Sequence, residues 1–319
     1  MRAADVPSLF DAARAGDRAA TARLLSIVER GGDAAHEVGR LCHPVSGHAY
    51  TLGLTGAPGA GKSTLTSALV GRLRAADDDV RVGVLAVDPS SPFSGGAILG
   101  DRVRMSDHAL DPSVFIRSMA TRGHLGGLAL ATPEAVRVLD AVGHRWVIVE
   151  TVGVGQVEVE IVGAADTTVV VVNPGWGDAV QANKAGLMEI GDVFVINKAD
   201  RPGVDDTRRD LEQMLDLSEV VGWRPPIVAT DAVEGDGVDE LVDAVQQHRE
   251  HLESSGELTT RRDKRLRDEL ALIVTQRLRR RADSLLAEGE RDEIEAEVVA
   301  RRLDPWTAAD QVLAGLPGS

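Results

Sequence analysis

One short run of residues limits what this chain can fold into. Residues 56–63 read GAPGAGKS, which fits the pattern G-x-x-x-x-G-K-[ST], and they follow the apolar stretch 50–54. This pattern is typical of a loop between a buried strand and a helix, in which backbone N–H groups surround phosphate oxygens. Lys62 can then reach the β- and γ-phosphates, and the Ser63 hydroxyl is placed to ligate Mg²⁺. The run therefore predicts a phosphate-binding loop and a helix that begins near Lys62.

A second motif follows a later apolar stretch, residues 192–196. Asn197, Lys198 and Asp200 have the form N-K-x-D. The Asp200 carboxylate can accept two hydrogen bonds from the N1–H and exocyclic amine of guanine, and adenine does not present these donors together. The two motifs in this order predict that GTP is preferred over ATP.

Composition excludes several classes of function. The chain has 319 residues and a formal net charge of −15, which argues against nucleic acid or an anionic membrane surface as a partner. Cys42 is the single cysteine, so an intrachain disulfide and a cysteine cluster for zinc or nickel are both excluded. The amino terminus lacks the apolar core of a secretory signal, and no apolar run approaches the ~20 residues needed to cross a bilayer. We therefore expect a cytoplasmic protein.

The pattern along the chain predicts three regions. Residues 8–41 have helical spacing with a break at Gly31 and Gly32, which predicts an N-terminal helical extension of two helices over residues 1–45. Residues 46–256 form the central domain. Its predicted strands are continuous Val/Ile-rich runs at 81–87, 114–119, 146–150, 167–172, 193–197 and 227–229. Such runs are typical of a doubly wound α/β fold, and a helical stretch at 133–143 favours an all-parallel sheet.

The third region, residues 257–319, is charged and helical. An apolar stripe is expected on its first helix, formed by Leu266, Leu270, Ile273, Val274 and Leu278. Basic residues from Arg261 to Arg281 crowd the remaining surface, and the default interpretation of such charges is a solvated face. Because the stripe needs burial, we expect this region to be a homodimerisation arm.

Three acidic or glycine-rich segments lie between the two motifs. In residues 88–105, Asp88 and Asp101 could reach Mg²⁺, with turn or helix capping as the alternative. In residues 150–158, Glu150 ends a strand where phosphate-loop enzymes hold the metal or its waters, and Gly153 can bring an N–H group close to the γ-phosphate. Residues 173–189 form a loop that runs into a helix, for which a plain surface loop is an open alternative.

Together these segments resemble the MeaB/ArgK type of GTPase, the chaperone associated with methylmalonyl-CoA mutase. The matching blocks are residues 56–64, 88–105, 150–156, 184–190 and 197–200. The resemblance implies a mostly parallel, doubly wound P-loop GTPase domain of the SIMIBI class with helical extensions at both ends. The chain departs from the family pattern at Trp176, which is bulky for its loop, and at residues 229–232, which represent the serine-alanine base motif only loosely.

Motifs and resemblance together assign the site residues. The nucleotide set is Gly56, Ala57, Pro58, Gly59, Ala60, Gly61, Lys62, Ser63, Thr64, Gly153, Asn197, Lys198 and Asp200. The catalytic set is Lys62, Asp88, Asp101 and Glu150, and the metal set is Ser63, Asp88, Asp101 and Glu150. Asp178, Gln181 and Lys184 resemble a further switch that transmits nucleotide state to the mutase. The expected ligands are GTP, GDP and Mg²⁺.

The resemblance implies hydrolysis of GTP to GDP and phosphate by a homodimeric metallochaperone. Such a protein gates adenosylcobalamin delivery to methylmalonyl-CoA mutase, or to a related adenosylcobalamin-dependent acyl-CoA mutase, and protects it, with the adenosyltransferase as a further candidate partner. No glutamine directly follows Gly153, so we expect slow hydrolysis by the protein alone and stimulation by the partner.

Two other functions stay open. A nickel-insertion GTPase chaperone would need clustered soft or imidazole ligands, whereas His108, His124 and His144 are scattered. A kinase for a small molecule such as arginine is disfavoured by the guanine motif and by the lack of an evident acceptor site.

Overall fold

Seven strands form one parallel sheet in the computed structural model. The model describes residues 5–89, 108, 110–121, 127–151, 165–175, 189–217, 222–285 and 288–314. The strands are β1 (Tyr50–Gly56), β2 (Val82–Pro89), β3 (Val114–Thr121), β4 (Trp146–Thr151), β5 (Thr167–Val172), β6 (Val193–Asn197) and β7 (Ile227–Thr230). Their order across the sheet is β3-β2-β4-β1-β5-β6-β7, and every neighbouring pair is parallel.

The central strands are buried on both faces. Every residue of β1, β5 and β6 is buried, which is why these strands, apart from the terminal Asn197, are continuous apolar or hydroxyl-bearing runs without alternation. The helices are α1 (Val6–Arg14), α2 (Arg18–Arg30), α3 (Asp33–Cys42), α4 (Lys62–Ala76), α5 (Gly127–Ala141), α6 (Val204–Leu217), α7 (Val238–Ser255), α8 (Glu257–Leu285), α9 (Glu288–Val299) and α10 (Pro305–Ala314). The predicted parallel α/β fold is confirmed.

The N-terminal extension contains three helices where the sequence predicts two. The additional break lies at residues 15–17, where Gly16 has a φ of 101° and Asp17 caps α2 by accepting hydrogen bonds from the N–H groups of Ala19 and Ala20. The apolar faces of these helices share one core with α5 and with strands β2, β3 and β4. The extension is therefore packed onto one face of the sheet.

A buried polar network lies at the amino-terminal edge of the sheet. The hydroxyls of Tyr50 and Thr167 are 2.6 Å apart, and Thr167 is hydrogen-bonded to Nδ1 of His248 at 2.8 Å. Nε2 of His248 lies 3.3 Å from Oδ1 of Asp192, to which Arg261 donates at 3.1 Å. Burial lowers the pKa of the fully buried His248 to about 3, so this imidazole is neutral at physiological pH. The network joins the starts of β1, β5 and β6 to α7 and to the beginning of α8.

The first residues of α8 belong to the first of two compact units. Contacts divide the chain into Met1–Arg262 and Asp263–Ser319, so the first residues of α8 belong to the unit that contains the sheet. Arg262 is 27% exposed there and donates to both carboxylate oxygens of the buried Asp166. The interpretation of the basic run as a wholly solvated face is therefore wrong at Arg262. Within the described ranges, no helix is both long and apolar enough to cross a membrane.

Candidate nucleotide site

The phosphate-loop motif lies between β1 and α4, at the carboxyl edge of the sheet. Gly56, Gly59 and Gly61 have φ values of 137°, 75° and 89°, which favour glycine. A Cβ atom on Gly56 would collide with the carbonyl oxygen of Val171, and one on Gly61 would collide with the side-chain amide of Asn197. Gly56 and Gly61 are therefore required both by the turn and by the close approach of neighbouring atoms, and Gly59 by its backbone conformation alone.

The remaining loop residues differ in exposure. Ala60 is fully buried, Pro58 is exposed, and Ala57 and Thr64 are half-buried. Lys62 opens α4, is 5% exposed, and its ammonium donates to the carbonyl oxygens of Gly56 at 2.8 Å and Ala57 at 3.0 Å. The lysine charge is thus held at the loop by the loop's own backbone.

The metal side of the predicted site centres on Glu150, the penultimate residue of β4. Its side chain is 4% exposed, and Oε1 accepts a hydrogen bond from the Ser63 hydroxyl at 2.5 Å. The other carboxylate oxygen, Oε2, accepts from the Thr66 hydroxyl at 3.2 Å. Hydroxyl and carboxylate oxygens are the hard ligands that Mg²⁺ prefers, so the donor set fits this ion. Thr66 was not among the predicted site residues, although it lies one helical turn after Ser63.

Asp88 lies near the carboxyl end of β2, the strand beside β4. Ala86, two residues earlier, is the register partner of Glu150. The backbone therefore places Asp88 and Glu150 at the same edge of the sheet. The other residues predicted to contact the metal, the γ-phosphate or a partner, which are Asp101, Gly153, Asp178, Gln181 and Lys184, lie outside the described residues.

The guanine motif contacts the phosphate loop directly, although the two are far apart in sequence. The Asn197 amide donates to the carbonyl oxygen of Ala60 at 2.8 Å, and the Lys198 ammonium donates to that of Gly59 at 2.6 Å. Lys198 adopts a φ of 62°, and Asp200 is exposed at the start of the following turn. The exposed carboxylate is available to a base, while the residues before it are fixed by the loop.

The end of β7 supports the same asparagine. Oδ1 of Asn197 accepts from the Thr230 hydroxyl at 3.1 Å and from the N–H of Ala232 at 3.2 Å. The Asn197 side chain is 2% exposed, and both of its polar atoms are hydrogen-bonded. The nitrogen donates to the phosphate loop, and the oxygen accepts from the segment at the end of β7. Residues 229–232, which depart from the serine-alanine pattern, still hold the guanine motif in place through a threonine hydroxyl and a backbone N–H.

Comparisons with known proteins agree with this geometry. The family described as "Methylmalonyl Co-A mutase-associated GTPase MeaB" matches residues 21–286. A putative GTPase of Pyrococcus abyssi is 50% identical over 98% of this chain and 97% of the relative. A probable GTPase of Mycobacterium tuberculosis is 39% identical over 97% of this chain and 94% of the relative.

A solved structure is similar over nearly the whole length. The crystal structure of a LAO/AO transport system kinase has a TM-score of 0.70 and 27% identity, and the match covers 98% of this chain and 97% of that one. The family match spans the phosphate loop, Glu150 and the guanine motif, and the relatives are named GTPases. This chain is a guanine-nucleotide-binding P-loop GTPase, and it belongs to the MeaB family of methylmalonyl-CoA mutase-associated GTPases.

Proposed function

We propose that GTP hydrolysis by this protein gates the delivery of adenosylcobalamin to methylmalonyl-CoA mutase, or to a related acyl-CoA mutase, and protects the loaded enzyme. The observation that carries the proposal is the family match over residues 21–286, because the description of that family names association with the mutase. The match includes both nucleotide motifs, so the partner function and the nucleotide site belong to the same family pattern.

The proposed chemistry is attack of water on the γ-phosphorus in line with the β–γ bridging oxygen, which gives GDP and phosphate. Lys62 and the loop N–H groups would offset the negative charge that spreads over the phosphate oxygens. We propose Ser63, Asp88, Asp101 and Glu150 as the residues that hold Mg²⁺ or its waters. When bound, this ion would neutralise charge between the β- and γ-phosphates.

A slow reaction in the absence of a partner is part of the proposal. Val154 follows Gly153, where Ras-like enzymes carry the glutamine that orients the attacking water. Binding of the mutase would complete the site through the segment that contains Asp178, Gln181 and Lys184. Nucleotide state and partner binding would then be linked, and each would change the affinity for the other.

Steady-state GTP hydrolysis tests this proposal. The protein is assayed alone, with the methylmalonyl-CoA mutase of the same organism, and with an unrelated protein of similar size, and Lys62→Ala supplies the background. Stimulation by the mutase alone supports the gating function. Unchanged turnover with intact GTP binding would contradict it while leaving the GTPase assignment in place.

A homodimer is the second part of the proposal. Leu266, Leu270, Val274 and Leu278 on α8 are 45%, 62%, 47% and 57% exposed, and they recur every four residues on one helix face. Such a stripe is suited to packing against a second copy of the same helix. We expect Leu270→Glu to give a monomer in sedimentation, whereas Thr275→Glu, on another face, should leave the dimer intact. A Leu270→Glu protein that stays dimeric would contradict this arrangement.

A kinase activity is the second candidate function, because the similar solved structure is described as that of a transport system kinase. A kinase would transfer the γ-phosphate to an organic acceptor. Incubation with γ-labelled GTP and arginine distinguishes the two functions. Label in inorganic phosphate supports hydrolysis, and label in phosphoarginine would favour the kinase.

A further inference from the structure

We propose that Thr66 is a positioning residue for Glu150. Its hydroxyl holds Oε2 of the carboxylate, and Oε1 is thereby kept on the side of Ser63, where the metal is expected. The inference rests on the proposed magnesium site and assigns a role to a residue that neither sequence motif contains.

The geometry divides the two carboxylate oxygens between two hydroxyls. Ser63 donates to Oε1 at 2.5 Å and Thr66 donates to Oε2 at 3.2 Å. Both donors project from α4, three residues apart and therefore on one face of the helix. Because each oxygen has its own donor, rotation of the carboxylate would break one hydrogen bond or the other.

The hydrogen bond of Thr66 differs from those of three hydroxyls in other helices. Ser26, Thr21 and Thr275 each donate to the backbone carbonyl four residues earlier, at 2.9, 3.2 and 2.9 Å. This is the usual bond of a helical serine or threonine. Thr66 instead donates across to β4, so its hydroxyl serves the carboxylate.

The surroundings of Thr66 would suit an apolar residue. Thr66 is fully buried, and its helix neighbours Leu65, Leu69 and Val70 are buried apolar residues of the core. A valine would have nearly the same shape and would need no hydrogen-bond partner. The hydroxyl at this position is therefore accounted for by Glu150, the group to which it donates.

The chemistry of a glutamate explains why such a hydroxyl matters. Glutamate has one more rotatable side-chain bond than aspartate, so its carboxylate has more orientations to restrict. Groups that orient a metal ligand without touching the metal commonly contribute roughly 10- to 100-fold to metal affinity. Thr66 is placed to do this for the metal-side carboxylate.

The test is the Mg²⁺ dependence of nucleotide binding, measured with a fluorescent GDP analogue over a MgCl₂ titration and again in EDTA. For Thr66→Val we expect the Mg²⁺ concentration at half-maximal effect to rise about tenfold. Affinity in EDTA should stay within about twofold, because no phosphate or guanine contact is removed. Thr66→Ser should restore the wild-type midpoint, since it returns the hydroxyl. Thr21→Val is the matched control, a buried helical threonine away from the site, and should behave as wild type.

Three outcomes would overturn the inference. One is a Thr66→Val midpoint within twofold of wild type. Another is an equal loss of affinity with and without Mg²⁺, which would show general damage to the loop. The third is an unaltered Mg²⁺ dependence in both Ser63→Ala and Glu150→Gln, which would show that the proposed magnesium site itself is wrong. If Thr66→Val folds poorly by circular dichroism, Thr66→Ala gives the same comparison.

Discussion

Replacement of Arg262 by alanine should destabilise the protein although the residue lies in a highly charged helix. The guanidinium donates through Nε to Oδ1 of Asp166 at 3.1 Å and through Nη2 to Oδ2 at 2.6 Å. It also donates to the carbonyl oxygens of Gly47 at 2.8 Å and Ala49 at 2.8 Å. One side chain therefore joins the start of α8 to the segment before β1 and to the residue before β5.

The magnitude follows from the burial of Asp166, whose side chain is 1% exposed. Arg262→Ala would leave this carboxylate buried and without the guanidinium, while the N–H of Thr51 still donates to it at 3.0 Å. Removing one partner of a buried ion pair costs about 3–5 kcal/mol. Because Arg262 is 27% exposed and the Thr51 bond is retained, we expect the lower end, about 3 kcal/mol.

Urea unfolding followed by circular dichroism measures this loss. Arg267→Ala is the matched control on the same helix, since Arg267 is 79% exposed and lies 3.8 Å from a half-exposed Asp263; it should cost less than about 0.5 kcal/mol. Adding Asp166→Asn to Arg262→Ala should recover about 1 kcal/mol or more, because no buried charge is then left without its partner. Equal unfolding free energies for Arg262→Ala and Arg267→Ala would refute the reasoning.

Three further predictions concern the base, the loop and pH. Asp200→Asn should weaken GTP binding about 10- to 150-fold by loss of charge-assisted hydrogen bonds. The variant should favour xanthine, which has a carbonyl at the 2-position. Competition binding with GTP and XTP checks this, and unchanged GTP affinity would count against it. Gly61→Ala and Gly32→Ala both force an alanine into positive φ. Only Gly61→Ala should abolish nucleotide binding, because only its Cβ atom meets Asn197. Equal nucleotide binding by both variants would contradict this. Burial lowers the pKa of His144 to about 4 and that of His248 to about 3, so below pH 6.5 the unfolded chain takes up protons that the folded chain does not. The contribution of these two neutral histidines to the unfolding free energy should be complete above pH 6.5. It should fall by about 1.4 kcal/mol per pH unit for each histidine as the pH drops towards 4. A flat unfolding free energy from pH 7.5 to 5.5 would contradict this.

The sheet could be predicted because its strands are chemically uniform. A strand buried on both faces must be apolar throughout, and runs such as residues 167–172 leave no helical or alternating interpretation. The meeting of the two nucleotide motifs was also predictable, since each follows a strand and the ends of parallel strands share one edge. The break at residues 15–17 was missed, although Gly16 followed by Asp17 is a recognisable stop and start signal.

The side-chain partners could not be predicted in the same way. Thr66, Thr230 and Arg262 belong to residue types that are common on solvated or ordinary helix and strand surfaces. Their partners, Glu150, Asn197 and Asp166, are more than 30 residues away in sequence, and the contacts depend on the register between elements. Spacing along one element carries information about its own faces, but it does not specify which polar group on another element will lie opposite.

Lys62 and Lys198 stabilise the phosphate loop, in addition to their predicted contacts with the nucleotide. Lys62 holds the carbonyl oxygens of Gly56 and Ala57, and Lys198 holds that of Gly59. Carbonyl oxygens that are hydrogen-bonded to ammonium groups in this way are kept from repelling phosphate oxygens. A Lys62→Ala protein would therefore lose loop order together with the phosphate contact, and its lost activity cannot be assigned to the missing charge alone. Lys62→Arg separates the two effects, because it keeps the charge but not the hydrogen-bond geometry of the ammonium group. If the charge suffices, Lys62→Arg should retain GTP binding. If the hydrogen bonds to the loop carbonyl oxygens are required, it should behave as Lys62→Ala.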